Sequence, residues 1–252
     1  GYQVTLFERD KIMQATSKSS SKLLHGGLRY LEQGEFRLVR EALQERRWWL
    51  KKAPQLTRRL PILYPIYADS RRPRWQLKIG LWLYDAFAGR KGIGRHRWLT
   101  PQQTLRCSPQ LQAEGLTGAY LFFDGQMDDQ KLGLWMAQQC QKAEVQLIED
   151  CPVQQLTTDA KLLTAAGWQQ FDRVINVAGP WSQQLLQQSG LPEQPLDFAG
   201  VRPLLGGSAS ASKASREYQL DWQGQILTVS GGKWTTARAL GKAVALQIKQ
   251  LG

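Results

Sequence analysis

Apolar residues recur at helical spacing in two long stretches of the chain, residues 35–51 and 235–250. The first stretch carries arginine and glutamate between its apolar positions, which predicts an amphipathic helix, and the Ala-Pro pair that follows predicts its end. The second predicts a helix that begins after a Gly-Gly-Lys turn. The apolar positions are Phe36, Val39, Leu43 and Leu50 in the first stretch and Leu240, Val244 and Ile248 in the second.

Short apolar or alternating runs bounded by turn residues predict the strands. The runs at 145–149 and 173–177 predict buried strands, and residues 152–168 predict a β-meander with polar turns. Because Asp124-Gly125 is a turn signal, the strand before it is predicted to end at Phe123. The predicted strands lie at residues 2–8, 58–65, 119–123, 145–149, 173–177, 201–204 and 226–229.

The remaining segments carry helix starts and linkers. Pro101 at a first helical position predicts a capped helix over 100–108, and Asp128-Asp129 predicts the start of a helix over 131–142. Residues 176–181, NVAGPW, form a strand end with small residues before a helix. A ligand could lie over that backbone, and a plain strand-to-helix turn is the alternative. The linker-like stretches are 190–195 and 206–212.

Residues 71–97 surround an apolar helix, which contains tryptophan, with eight basic residues. This composition is typical of a segment that lies in a membrane interface. The alternative is an ordinary core helix with solvated ends. The basic residues are Arg71, Arg72, Arg74, Lys78, Arg90, Lys91, Arg95 and Arg97.

Charge narrows the class of partner. The 252 residues include 33 Lys and Arg against 21 Asp and Glu, a net charge of +12, which favours an anionic partner such as nucleic acid, an anionic membrane or a phosphorylated substrate. The three cysteines, Cys107, Cys140 and Cys151, form no CxxC pair, so neither a zinc site nor a disulfide framework is predicted. We expect a reducing compartment and, since no run of about 18 apolar residues occurs, only peripheral membrane contact.

The stretch from Thr16 to Glu32, TSKSSSKLLHGGLRYLE, is the strongest candidate for a binding site. Its serines and Lys22 supply donors and a cation. The two glycines after His25 allow backbone to approach a ligand closely, and Arg29 adds a fixed positive charge. Such a loop suits a phosphorylated ligand, and a serine-rich surface loop is the alternative.

Residues 3–54 closely resemble the FAD-dependent glycerol-3-phosphate dehydrogenases, through LFERD and ATSKSSSKLLHGGLRYLEQGEFRLVREALQER. The resemblance continues, in the order of that family, through four later blocks. These are FDGQMDDQKL (123–132), NVAGPW (176–181), GVRPL (200–204) and LTVSGGKWTTARAL (227–240).

The resemblance implies an α/β (α+β) fold, with a FAD-binding Rossmann-like domain of the D-amino-acid oxidase/glycerol-3-phosphate dehydrogenase type and a partial substrate-covering domain. It implies FAD-binding parts at 1–54, 140–190 and 222–252, a substrate or cap region at 55–139 and a shortened substrate-domain junction at 191–221. The chain carries no G-x-G-x-x-G turn before LFERD, and only 18 residues separate Trp181 from Gly200. We therefore expect a piece of a longer enzyme.

The implied reaction is oxidation of sn-glycerol 3-phosphate to dihydroxyacetone phosphate, with electrons passing through FAD to a quinone. His25 is the implied base, because an imidazole titrates near neutral pH, and His96 is expected to be solvated. The implied substrate-binding residues are Arg29, Tyr30, Arg202, Lys233 and Thr235. The implied cofactor-binding residues are Glu8, Thr16, Ser17, Ser20, Ser21, Lys22, Leu24, Gly26, Gly27, Ala178, Gly179, Gly232 and Lys233.

The implied partners are glycerol 3-phosphate, a quinone and an anionic membrane surface, with a location at the cytoplasmic face of the inner membrane or in the cytoplasm. Two alternatives belong to other classes. A catalytically inactive remnant would fit the absent G-x-G-x-x-G turn. A nucleic-acid-binding module would fit the net charge and the ten tryptophans, but it leaves HGGLRY and GGKWTT unexplained.

Overall fold

The computed structural model describes residues 1–31, 34–89, 92–193, 196–199, 202–205 and 218–250, with only the backbone for 196–199 and 202–205. The chain divides into two compact units: unit 1 comprises residues 1–20 and 129–252, and unit 2 comprises residues 21–128. This division describes compactness, and the boundary at residue 54 that the resemblance implies for cofactor and substrate binding stays a prediction. Which stretches bind cofactor and which bind substrate stays a prediction.

Helices and strands are interspersed along the described residues, as expected for a mixed α/β fold. The helices are α1 (Leu28–Leu31), α2 (Phe36–Lys52), α3 (Arg74–Ala88), α4 (Pro101–Cys107), α5 (Asp129–Lys142), α6 (Ser182–Gln188) and α7 (Ala237–Gln250). The strands are β1 (Thr5–Phe7), β2 (Leu23–Leu24), β3 (Thr57–Tyr67), β4 (Arg97–Leu99), β5 (Leu116–Met127), β6 (Gln146–Ile148), β7 (Gln155–Leu156), β8 (Lys161–Thr164), β9 (Gly167–Gln170), β10 (Val174–Asn176), β11 (Leu196–Ala199), β12 (Arg202–Leu205), β13 (Tyr218–Gln223) and β14 (Ile226–Gly231).

Unit 2 is built around β5, which pairs antiparallel with β3 along one edge and with β2 and β4 along the other. The predicted turn at Asp124-Gly125 is wrong, because both residues lie inside β5. Gly125 is paired on both sides, with Leu24 and with Arg59. Ladder pairing therefore outweighs the local turn preference of Asp-Gly.

Helices α2 and α3 pack their apolar faces together in unit 2. Val39 and Leu43 of α2 share one buried cluster with Tyr84 of α3, as the 3.6-residue period of α2 predicts. Helix α3 also buries Leu81. Its opposite face is exposed, with Trp75 65%, Ile79 52% and Trp82 62% accessible. The buried face fits the interpretation of α3 as a core helix, and the membrane-interface interpretation stays a prediction.

Unit 1 contains two pairs of parallel strands, β1 with β6 and β10 with β14. Strand β13 adds to β14 in antiparallel fashion. The predicted meander is confirmed as β7, β8 and β9. The meander shares one buried core with the first residues of β10 and β14, and Phe7 of β1 packs against this core. The core residues are Leu156, Ala160, Leu162, Val174 and Ile226.

Most predicted helix boundaries are confirmed within a residue or two. Helix α4 begins with a capping box, because the Thr100 hydroxyl accepts from the Gln103 N–H and the Gln103 side chain accepts from the Thr100 N–H. Such a cap stabilises the first turn. No helix in the part of the chain that the structure describes is long and apolar enough to span a membrane.

Several predictions differ from the structure in extent. Strand β1 covers three of the seven predicted residues, and β6 is only partly buried, unlike the buried strand expected at 145–149. The short elements β2, β4 and α1 and the strand β13 were not predicted. Arg90, Lys91 and residues 206–212 lie outside the described residues, as do Gly200, Val201 and the side chain of Arg202.

Candidate functional site

The His25 loop, defined here as residues 24–30, runs from the last residue of β2 into the first turn of α1, in unit 2. Leu24 is fixed in the sheet by its pairing with Gly125. Gly27 adopts a φ of 79°, which glycine reaches without strain, and its carbonyl accepts from the Tyr30 N–H at 2.8 Å. The half-buried His25 imidazole therefore stands directly before a sharp turn into a helix.

A buried polar cluster lies beneath this loop: Arg46 of α2, Tyr84 of α3 and Asp124 of β5. Arg46 Nη1 is 2.7 Å from Asp124 Oδ1, and the two side chains are 2% and 6% exposed. Arg46 Nη1 also donates to the Tyr84 hydroxyl at 2.8 Å, and that hydroxyl donates to Asp124 Oδ1 at 3.0 Å. Burial, with the Asp124 charge as the second cause, raises the pKa of Tyr84 well above 10, so its hydroxyl stays protonated as a donor.

The His25 loop is attached to this cluster through its backbone. The Gly26 N–H donates to Asp124 Oδ1 at 2.8 Å. A Cβ on Gly26 would overlap the Tyr84 hydroxyl, so only glycine allows the backbone to come so close. Arg46, Tyr84 and Asp124 were not predicted as site residues. The available signals were an arginine within the apolar stripe of α2 and an aspartate within an apolar strand.

The other predicted site residues of unit 2 differ in exposure. Arg29 is exposed, whereas Tyr30 is 5% exposed with its ring centroid 6.4 Å from that of His25. Ser21 and Lys22 are exposed before β2. Lys22 has a positive φ of 57°, and its carbonyl accepts from the Met127 N–H at 2.9 Å. The structure thus brings His25, Gly26, Gly27, Arg29 and Tyr30 together on one short loop.

In unit 1, a second group of predicted residues lies at the carboxyl ends of the parallel strands β10 and β14. Buried Asn176 ends β10, and its Oδ1 accepts from the Ala178 N–H at 3.3 Å. Gly179 follows with a φ of 59° and open space where a Cβ would stand. In parallel α/β sheets, ligands bind at this edge, and the bare backbone at Gly179 would let one approach.

Strand β14 ends in the same way. Gly231 and Gly232 both have positive φ, 76° and 79°, and they lead through Lys233 and the buried Thr235 into α7. The Trp234 indole donates to the Ser17 carbonyl at 3.0 Å. The serine-rich loop, residues 16–20, is therefore attached to this strand end. Trp234 was not predicted to have a role.

Three buried hydroxyls of unit 1 have no hydrogen-bond partner among the described residues: Thr16 Oγ1, Ser182 Oγ and Ser230 Oγ. Buried polar groups are almost always hydrogen-bonded. Ser182 begins the helix after β10, and Ser230 stands next to the glycines that end β14. A ligand rich in hydrogen-bonding groups at these strand ends would satisfy them, so the residues present fit a polar cofactor.

Two further predicted cofactor residues have defined partners. Ser20 donates from both its N–H and its hydroxyl to Asp129 Oδ2, at 3.0 and 2.9 Å, which fixes the serine-rich loop on the first turn of α5. Glu8 follows β1, and its N–H donates to the Ile148 carbonyl at 2.9 Å. One of its carboxylate oxygens accepts from the Asp10 N–H at 3.2 Å.

His96 is not the solvated residue that the sequence predicted. Its Nδ1 lies 2.7 Å from Asp85 Oδ2, with side chains 16% and 18% exposed, and its ring packs against Tyr120. This pair holds His96 against α3, a contact that local composition does not reveal. The chain's other histidine, His25, thus remains the candidate base.

Comparison with known proteins assigns the fold and the family. The family model of the FAD-dependent oxidoreductases (DAO) matches residues 1–228. Among solved structures, the glycerol-3-phosphate dehydrogenase of Bacillus halodurans, complexed with FAD, superposes with a TM-score of 0.54 at 20% identity, covering 75% of this chain and 32% of that one. This likeness concerns the fold.

Two curated relatives are closer in sequence. The glycerol-3-phosphate dehydrogenase of Synechocystis sp. is 34% identical over 224 residues, covering 83% of this chain and 40% of the relative. The mitochondrial glycerol-3-phosphate dehydrogenase of Saccharomyces cerevisiae is 31% identical over 220 residues, covering 78% of this chain and 34% of the relative. The chain therefore spans well under half the length of these relatives.

Proposed function

The chain belongs to the DAO family of FAD-dependent oxidoreductases, and from that membership we propose that it forms part of an enzyme that oxidises sn-glycerol 3-phosphate to dihydroxyacetone phosphate. The observation that carries the proposal is the His25 loop, in which a half-buried imidazole and the exposed Arg29 flank a Gly-Gly step. The 34% identity to the Synechocystis enzyme supports the choice of substrate.

FAD supplies the hydride acceptor for the oxidation. His25 takes the proton of the substrate hydroxyl, which a general base must remove as the carbonyl forms. Arg29 binds the phosphate, because a guanidinium offers a planar pair of donors that matches phosphate oxygens. The remaining proposed substrate-binding residues are Tyr30, Arg202, Lys233 and Thr235.

Each unit contains proposed cofactor-binding residues. Glu8 accepts from the ribose hydroxyls, as an acidic residue at a strand end does in dinucleotide folds. Lys233, before α7, would supply positive charge to stabilise the negative charge that FAD gains on reduction. The other proposed cofactor-binding residues are Thr16, Ser17 and Ser20 with Ala178, Gly179 and Gly232 in unit 1, and Ser21, Lys22, Leu24, Gly26 and Gly27 in unit 2.

We propose a quinone as the electron acceptor and the exposed face of α3 as the surface that reaches the membrane. Trp75, Ile79 and Trp82 lie at i, i+4 and i+7 and are all more than half exposed. Tryptophan prefers the bilayer interface. Arg71 and Lys78 beside them are exposed as well, which would add attraction to anionic lipid.

The test of the reaction is anaerobic titration of the purified full-length protein with glycerol 3-phosphate. The expected result is loss of the visible absorption of bound oxidised flavin. Glycerol 2-phosphate, which lacks a free secondary hydroxyl, is the matched control and should leave the spectrum unchanged. A flavin that glycerol 3-phosphate does not reduce would overturn the proposed substrate.

A further inference from the structure

The buried cluster of Arg46, Tyr84 and Asp124 has no part in the reaction as proposed so far, although all three side chains are almost completely inaccessible. Removing two charges from water is costly, and a buried ion pair often adds no stability compared with apolar residues of the same size. A buried ion pair that contacts a functional loop therefore calls for an explanation other than stability.

The three side chains come from three different elements, and one carboxylate oxygen of Asp124 accepts all the hydrogen bonds described next. Asp124 Oδ1 accepts from Arg46 Nη1 at 2.7 Å, from the Tyr84 hydroxyl at 3.0 Å and from the Gly26 N–H at 2.8 Å. Helices α2 and α3 and strand β5 thus hold one carboxylate oxygen in place. That oxygen in turn holds the Gly26 backbone.

Fixing the Gly26 N–H also fixes His25. The N–H belongs to the peptide bond between His25 and Gly26, and because this bond is planar, its hydrogen bond sets the direction of the His25 carbonyl and the position of the His25 Cα. On the other side, Leu24 is held in the sheet by Gly125, the neighbour of Asp124 in β5. Both ends of the His25 backbone are therefore attached to the same strand.

We propose that Asp124 is a positioning residue for His25, held in place by Arg46 and Tyr84, and that it acts through the Gly26 N–H. The inference rests on the proposed role of His25 as the base. A base displaced by about 1 Å can lose a large part of its effect on the rate. Loosening the carboxylate should therefore lower kcat much more than it changes KM for glycerol 3-phosphate, because the Gly26 N–H that Asp124 accepts from adjoins His25 rather than Arg29.

The test is a double-mutant cycle on the full-length enzyme that combines Asp124→Asn with His25→Ala. Asp124→Asn alone should lower kcat about 10-fold or more and change KM for glycerol 3-phosphate and flavin content little. In the His25→Ala background the same substitution should change kcat by less than about twofold, because its effect passes through the missing imidazole. An equal loss of kcat in both backgrounds, or none in either, would overturn the proposal.

Two further measurements keep the outcome decisive. If Asp124→Asn does not fold, Tyr84→Phe replaces it in the cycle, with an expected loss of about threefold to tenfold for one hydrogen bond of the network. Tyr120→Phe is the matched control, since Tyr120 is equally buried and its hydroxyl donates to the Arg74 carbonyl instead. Unchanged kcat is expected for it, and a loss equal to that of Tyr84→Phe would indicate a merely structural role.

Hydrogen exchange separates this inference from the reaction itself. The Gly26 amide should exchange slowly in the wild type and faster in the variants, whatever the substrate is. Slow exchange in the variants would overturn the positioning role even if glycerol 3-phosphate reduces the flavin. Faster exchange together with a normal kcat for His25→Ala would instead refute the proposed base.

Discussion

His25 is the residue on which the proposed chemistry depends most directly. His25→Ala should lower kcat by about 10²-fold or more, the usual effect of removing a general base, while the flavin stays bound. Steady-state kinetics and the flavin-to-protein ratio measure the two effects. The chain's other histidine provides the control: His96→Ala breaks a pair with Asp85 and should lower the thermal midpoint but spare kcat. Near-normal turnover of His25→Ala would exclude it as the base.

Tyr84 gives a prediction about alkaline pH. Its pKa is raised well above 10, first by burial and then by the charge of Asp124. A folded-state pKa above the unfolded one gives stability that is fully present below the unfolded value, about pH 10, and is lost as the pH rises through the folded value. The thermal midpoint should therefore fall steeply above about pH 10.

Substituting the hydroxyl isolates this contribution from those of other groups. In Tyr84→Phe, the fall of the thermal midpoint above about pH 10 should be shallower than in the wild type, because no buried phenol has to ionise. Tyr120→Phe serves as the comparison, since Tyr120 is equally buried and its hydroxyl donates to the Arg74 carbonyl rather than to a carboxylate. Identical pH profiles for the wild type and Tyr84→Phe would contradict the assignment.

At the scale of elements, α3 has one buried face and one exposed apolar face. Its inner face carries Leu81 and Tyr84, both 2% exposed, and its outer face carries Trp75, Ile79 and Trp82. We expect the variant Trp75→Ser/Trp82→Ser to bind anionic vesicles much more weakly than the wild type. The variant should keep its flavin, because both indoles are exposed and their replacement does not disturb the core. Vesicle sedimentation measures the binding.

The control for this variant is Trp168→Ser, a change at another half-exposed tryptophan, on β9, which should leave vesicle binding unaltered. Arg71→Gln/Lys78→Gln should weaken binding further at low salt, since each basic residue adds about 1 kcal/mol of attraction to anionic lipid. Equal sedimentation of the wild type and the tryptophan variant would assign the outer face of α3 to something other than lipid.

Elements with a strong local signal could be predicted from the sequence, and β5 shows why others could not. Helix α2 follows from its apolar period, and α4 from Thr100 and Pro101. The sequence around Asp124-Gly125 favours a turn, yet three neighbouring strands supply β5 with partners, and Arg46 supplies Asp124 with a counter-charge. Pairing between residues 78 positions apart leaves no local pattern.

The residues of the candidate site likewise divide into those that a local motif predicts and those that only long-range contacts reveal. His25 and Arg29 were predicted because the HGGLRY motif is contiguous. Arg46 was not, since a single arginine among the apolar positions of α2 resembles any solvated residue until Asp124 lies opposite. Trp234 likewise gains a role only through its contact with the Ser17 carbonyl, 217 positions away.

At the scale of the whole molecule, unit 1 is assembled from both ends of the chain. Residues 1–20 join residues 129–252, and the bonds from Ser20 to Asp129 close this unit directly where unit 2 begins and ends. In sequence, unit 2 is therefore an insertion between the two parts of unit 1. The stretch from Thr16 to Glu32 continues across the division after Ser20, so no change in local pattern marks that division.

The net charge of +12 leads to a prediction for the whole reaction. Glycerol 3-phosphate is a phosphate monoester with a charge of about −1.5 to −2 at neutral pH, and a protein of opposite charge accelerates its encounter. Salt shortens the range of this attraction to about 10 Å at 0.1 M and about 3 Å at 1 M. We therefore expect kcat/KM for glycerol 3-phosphate to fall about 10-fold between low and high potassium chloride, with little change in kcat.

An uncharged quinone provides the internal control, because its kcat/KM as electron acceptor should not follow the same salt dependence. Arg29→Gln removes one exposed cation of the His25 loop, so it should lower kcat/KM at every salt concentration and make the dependence shallower, without abolishing it, since the rest of the net charge remains. If kcat/KM for glycerol 3-phosphate were independent of salt in the wild type, the positive charge would serve another partner. The binding of anionic vesicles to α3 would then be the first property to measure.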